Sequence, residues 1–141
     1  MAKTVLPATA RDLVMSRAKQ CCEYCQSQDR YSPNLFTIDH TIPPELGGTD
    51  DLGNLAYACF LCNRLKSNKT AAFDPLTQTH VPLFNPRTDA WHEHFAWDES
   101  YTHVIGLTPT GRATVVVLQL NREKLVEYRK ALLEFGGHPP R

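Results

Sequence analysis

The sequence predicts an α+β fold: a strand–strand–helix core closed by a four-cysteine metal site, flanked by an N-terminal helix and a C-terminal α/β extension ending in a helix. Three observations predict it. The cysteines fall in two clusters, Cys21-Cys22-Glu-Tyr-Cys25 and Cys59-Phe-Leu-Cys62, with 33 residues between them. Short alternating segments, 36–40 and 55–58, lie in that interval, and helix-type patterns with start and stop signals lie at both ends.

Residues 9–20 read as a helix, with Thr9 as N-cap, Asp12 three residues on, and Leu13, Val14 and Ala18 as a short apolar face. Cys22-x-x-Cys25 and Cys59-x-x-Cys62 then supply four thiolates, the number that a closed tetrahedral Zn²⁺ site requires. A redox role would need only one pair in a thioredoxin-like context, which is absent. Cys21 is the odd thiol; it could replace Cys22 in a longer-spaced pair, but the shorter spacing is favoured. The interval exceeds the usual zinc-ribbon spacing, so it must carry structure of its own.

Within it, Phe36, Ile38 and His40 fall on one side of a short strand and Thr37 and Asp39 on the other, before Pro43-Pro44 stops it. Adjacent Asp39 and His40 therefore suit different tasks, one holding a metal and one moving a proton. Gly47-Gly48 and Asp50-Asp51 form a polar loop that turns tightly. Leu55-Ala-Tyr57-Ala alternates as a second strand, and Cys59 to Lys66 reads as a knuckle opening a short helix.

Residues 1–70 are expected to form the core domain and 71–141 an extension packed on it. The extension opens with an acidic, Pro-rich stretch whose Phe73, Phe84, Trp91, Phe95 and Trp97 are expected to form a satellite core. His92-x-His94 has a spacing that can bind metal, but surface or packing roles are favoured. Tyr101–Leu107 reads as a strand. From Thr108 to Leu120 the signals conflict: Val115, Val116 and Val117 favour a strand and a core role, whereas Thr108-Pro109 is a helix start. The last helix is expected to have Asn121 as N-cap, Leu125, Tyr128, Leu132 and Leu133 on one face, and Gly136-Gly137 as its end.

Composition narrows the class. Among 141 residues no apolar run reaches the roughly 18 that a membrane helix needs. Met1–Ala18 has scattered charges and no apolar stretch of a secretory leader, so a cytoplasmic, reducing compartment is expected and a disulfide framework is not. Fifteen basic and 15 acidic residues cancel, which at first argues against a nucleic-acid partner. The cancellation is an average: residues 1–30 carry five basic against three acidic groups, 101–141 six against three, and 71–100 one against five.

Taken alone, Asp39-His40 is a weak signal. In the order Cys22-x-x-Cys25, Asp39-His40, Pro43, Gly47-Gly48, Asn54-Leu55, Cys59-x-x-Cys62-Asn63, Lys66, the pattern resembles the HNH endonucleases, zinc-stapled members of the ββα-metal (His-Me finger) nucleases. The segments Leu83–Arg87, His94-Phe95-x-Trp97 and Gly106–Thr114 are also similar to the extension carried by bacterial stand-alone HNH proteins.

The resemblance implies a metal-dependent hydrolysis of DNA phosphodiester bonds. His40 matches the general base, Asp39 a ligand of one divalent cation, and Asn54 the residue that pins the loop and orients the base. Asn63 stands where other members have His, and an amide oxygen beside a carboxylate favours Mg²⁺ or Mn²⁺. Lys66 and Arg64 match phosphate contacts. Zn²⁺ on Cys22, Cys25, Cys59 and Cys62 would be structural only. Double-stranded DNA is the expected partner, with RNA open, no membrane, and a monomer or homodimer. The alternative is a non-catalytic zinc module that binds nucleic acid or protein.

Overall fold

The structure, a computed structural model, describes residues 6–140, so the first five residues of the leader reading lie outside it. Helix α1 (Ala8–Arg17) starts at Pro7, whose carbonyl accepts from Arg11 N at 3.1 Å; Thr9 is inside the helix and does not cap it. The helix stops short of residue 20 because Lys19 and Gln20 take left-handed φ of 54° and 60°, turning the chain into the first cysteine cluster.

Strands β1 (Thr37–His40) and β2 (Leu55–Ala58) pair antiparallel, with Asp39 opposite Ala56 and His40 opposite Leu55. Helix α2 (Phe60–Lys66) follows at once, completing the expected ββα unit. All of β2 is buried, so this small sheet is covered on both sides.

The extension holds elements the sequence left unassigned. Strands β3 (Ala71–Asp74) and β4 (Thr79–Pro82) form a hairpin, and a short α3 (Trp91–His94) leads into β5 (Phe95–Trp97). Strand β6 (Val104–Gly106) pairs with β5 and is shorter than expected, because Tyr101 turns at φ 59°. The conflicted stretch is a helix, α4 (Pro109–Val117): Thr108 Oγ1 accepts from Gly111 N at 3.0 Å, and Pro109 supplies a preset first turn. Helical geometry then turns Val116 outward, 56% exposed, so the valine run is not wholly core. Gly111 is obligatory, since a Cβ there would lie 2.1 Å from the His94 carbonyl oxygen. His94 itself accepts or donates at Thr108 Oγ1, 2.6 Å away, and His92 packs edge-on to Trp91.

Helix α5 (Glu123–Leu133) starts two residues after Asn121, which instead pairs with both backbone groups of Val104 at 2.7 and 2.9 Å. Its buried face carries Leu125, Val126, Arg129 and Leu132, and beyond its end the chain turns at Gly136, φ 79°. Arg129 is the charge on that face: its guanidinium donates to Thr102 O at 2.9 Å and covers the Trp97 ring.

One apolar core runs across both halves of the chain. Val14, Tyr24, Phe36, Leu55 and Tyr57 share it with Phe84, Trp91, Phe95, Leu118, Leu120 and Leu125. The aromatics of 71–100 are therefore not a satellite: Phe84 and Phe95 meet edge to face at 5.2 Å in the main core, whereas Phe73 is largely exposed. Burying one such ring contributes roughly 2–3 kcal/mol. Among the described residues no helix is long and apolar enough to cross a membrane.

Candidate functional site

Two tight turns build the metal cluster. Cys22 opens the first, with Gln26 N donating to Cys22 O at 2.9 Å and Gln26 in a left-handed φ of 68°. Cys59 opens the second as N-cap of α2, its sulfur accepting from Cys62 N at 3.4 Å. The sulfurs of Cys22, Cys25, Cys59 and Cys62 all lie within 4.8 Å of one another, and Cys25 and Cys59 are 3.8 Å apart. A tetrahedron with Zn–S near 2.3 Å needs S···S of about 3.8 Å, so donor type, number and spacing fit Zn²⁺. Cys21 is outside the cluster, its sulfur turned to Lys19 O at 3.4 Å, which decides between the two spacings. Burial pushes the Cys22 thiol well above its ordinary range, whereas hydrogen bonds from the neighbouring sulfurs hold that of Cys25 well below it. Arg122, from the extension, adds positive charge: its Nη atoms lie 3.7 Å from the sulfurs of Cys59 and Cys62.

The carboxylate and imidazole of β1 part to opposite sides, as strand geometry requires. Asp39 is 4% exposed; Tyr24 donates its hydroxyl to Oδ2 at 2.6 Å, and Lys66 Nζ lies 3.2 Å from Oδ2 and 3.4 Å from Oδ1. Burial raises the Asp39 pKa, while Lys66 and Tyr24 pull it down. His40 is half-buried, with Nε2 2.7 Å from Asp50 Oδ1. An ionised carboxylate only accepts, so Nε2 is the ring nitrogen that donates in this pair.

Asn54 is buried and saturated. Its Oδ1 accepts from Thr41 Oγ1 and Ile42 N at 2.8 and 2.9 Å, and its Nδ2 donates to Ile42 O and Thr49 O at 2.9 and 2.8 Å. These bonds close the 41–49 loop beside His40. Gly48 makes the closure possible, because a Cβ there would lie 1.6 Å from Ile42 O.

On α2, Asn63 is partly buried, and its side chain makes no hydrogen bond among the described residues. It precedes Lys66 by three residues, which puts both on one helix face. Lys66 is not at the surface: it is 2% exposed, donating also to His40 O at 3.1 Å. Arg64 is exposed, its guanidinium 6.0 Å from the Phe60 ring centre. Sequence reasoning missed Tyr24 and Asp50. The signal for Tyr24 was present, since a phenol between two buried cysteines must find a partner for its hydroxyl.

Comparison with known families decides what this arrangement is: the HNH endonuclease profile matches residues 22–69. Those residues are an HNH endonuclease domain. Beyond it, the chain is 32% identical over 133 aligned residues to the Septu protein PtuA of Bacillus mycoides (strain KBAB4). That alignment covers 77% of this chain, so the likeness reaches outside the HNH domain, and 18% of PtuA; the chain spans under a fifth of that relative. No solved structure matches. The HNH family implies nuclease activity and a nucleic-acid substrate.

Proposed function

We propose that the HNH domain is a metal-dependent endonuclease that hydrolyses DNA phosphodiester bonds, by nicking or by double-strand cutting, with His40 as general base. The observation that supports it best is the His40–Asp50 pair: it holds the ring by Nε2 and leaves Nδ1 as the nitrogen to take a proton from water. Asn54 holds the loop beside that base.

Asp39 and Asn63 would hold one Mg²⁺ or Mn²⁺; a carboxylate and an unpartnered amide oxygen suit a hard cation. Bound there, the cation supplies positive charge against the non-bridging oxygens and the departing 3′ oxygen. Arg64, exposed on α2, would contact a phosphate. The products are a 5′-phosphate and a 3′-hydroxyl. Cys22, Cys25, Cys59 and Cys62 would hold a structural Zn²⁺, which with four thiolates would leave no position for substrate and would join knuckle to helix. Zero net charge fits a nuclease that binds DNA modestly until its metal is loaded.

The test is nicking of supercoiled plasmid by the zinc-loaded protein. Nicking is expected in Mg²⁺ or Mn²⁺, stopped by EDTA, and abolished in His40→Ala with fold and zinc content intact. Equal cleavage by wild type and His40→Ala would remove His40 from the chemistry. Absence of metal-dependent cleavage in wild type would leave a zinc-stapled binding module.

A further inference from the structure

Lys66 is the buried charged side chain of this site whose placement the nuclease reading does not use. Its ammonium is shut from water and within 3.4 Å of both oxygens of Asp39. Among the described residues it has no other carboxylate partner; its remaining contact is the His40 carbonyl oxygen at 3.1 Å. A carboxylate that is 4% exposed needs a counter-charge, and here the chain provides its own.

We propose that Lys66 is a built-in competitor for the cation position at Asp39, which a divalent metal ion must displace in order to bind. The proposal rests on the reading of Asp39 and Asn63 as the metal's ligands. Two cations on one buried carboxylate repel strongly where water is excluded, so the ammonium and the metal ion hold the site in turn. Lysine suits the part: its charge is a compact point on a flexible four-carbon stem, able to leave without moving the helix. It also has somewhere to go. A surface depression of about 220 Å³ adjoins it; Thr41, Lys66, Lys69, Asn85, Thr88 and the acidic Asp89 are among the residues that line it. An ammonium turned into that depression meets solvent and any phosphate placed there. Metal loading then does two things: it ends the internal ion pair and presents the lysine expected from the motif to the substrate.

Two measurements on the full zinc-loaded chain test this. Mn²⁺ binding, followed by the paramagnetic resonance signal of free Mn²⁺, is compared in wild type, Lys66→Gln and Asp39→Asn. Removing the competing charge should tighten Mn²⁺ binding by at least about tenfold in Lys66→Gln, and Asp39→Asn should abolish it. In wild type, amine acylation read by mass spectrometry should find Lys66 protected without Mn²⁺ and several-fold more reactive with it, Lys69 being equal in both. If Lys66→Gln fails to fold, the acylation of wild type decides alone. Mn²⁺ bound by wild type through Asp39 with Lys66 still protected, or bound no tighter by folded Lys66→Gln, overturns the proposal and leaves the nuclease reading standing. No Mn²⁺ binding in either protein overturns the ligand assignment itself, and this proposal with it.

Discussion

The Tyr24 hydroxyl donates to Asp39 Oδ2 at 2.6 Å, so a residue between two zinc-site cysteines holds the carboxylate of β1. Lys66, four residues after Cys62, reaches the same carboxylate from the second knuckle. Each half of the metal cluster thus sends one side chain to Asp39. Tyr24→Phe removes a buried hydrogen bond to a charged group and should cost about 2 kcal/mol. Chemical denaturation checks this, with zinc content expected to remain at one per chain. An unchanged denaturation midpoint would show that the bond contributes nothing.

Cys59→Ser removes one sulfur of the cluster and the cap of α2 together. Loss of a structural metal is among the few changes that exceed about 4 kcal/mol, and in a chain of this size that lowers the melting temperature by roughly 10 °C. Metal analysis and calorimetry should show both losses. One tightly held zinc in the purified variant would refute the four-cysteine site.

Asn54→Asp keeps the oxygen that Thr41 and Ile42 donate to, but loses the amide that donates to Ile42 O and Thr49 O. Carboxylate oxygen then faces carbonyl oxygen in a buried loop. A loss of about 3 kcal/mol is expected, with nicking reduced along with it. Wild-type stability in this variant would mean that the loop closes by other contacts.

Asp50→Ala frees the His40 ring without touching the core, since Asp50 lies in an exposed loop. Nicking should fall by about tenfold, the usual scale for losing an orienting partner, while the melting temperature stays put. A rate equal to wild type would show that the ring is held from elsewhere.

Asp74 is buried and gripped by Arg112 at 3.0 Å through each oxygen, with further bonds from Thr77 and from Leu76 N. The Arg112 guanidinium holds its carboxyl well below the usual carboxylate range. A depressed folded pKa contributes stability that is fully present above the unfolded value, near about 4, and lost as pH falls below it. The gap in melting temperature between wild type and Asp74→Asn should therefore be constant above about pH 6 and shrink below about pH 4. A gap independent of pH down to the acid limit would exclude the pair as its source.

Much of the ββα unit was legible because its signals are local. Four cysteines in two short spacings fix a donor set, and strict alternation over 36–40 sends Asp39 and His40 apart. At 109–117 two local signals disagreed, and the cap at Thr108 outweighed the β preference of three valines, which a helix can also pack. The contacts that shape the site were not legible, because they join segments distant along the chain. Tyr24 meets Asp39 across 15 residues, Lys66 meets it across 27, and Arg87 of the extension pairs with Glu23 across 64. Nothing in residues 60–66 marks Lys66 as buried; only the position of Asp39 makes it so.

Arg122 carries a last consequence. Its guanidinium sits against the sulfurs of Cys59 and Cys62, where four thiolates around one Zn²⁺ would leave a formal charge of about −2. Trp91, also beyond the family-matched residues, donates its indole N–H to the Tyr24 carbonyl at 2.9 Å. A fragment cut after Lys69 would keep every residue of the HNH motif and lose both supports. The motif that matches the family and the set of residues that support its cluster are thus of different lengths, the second reaching to the start of α5.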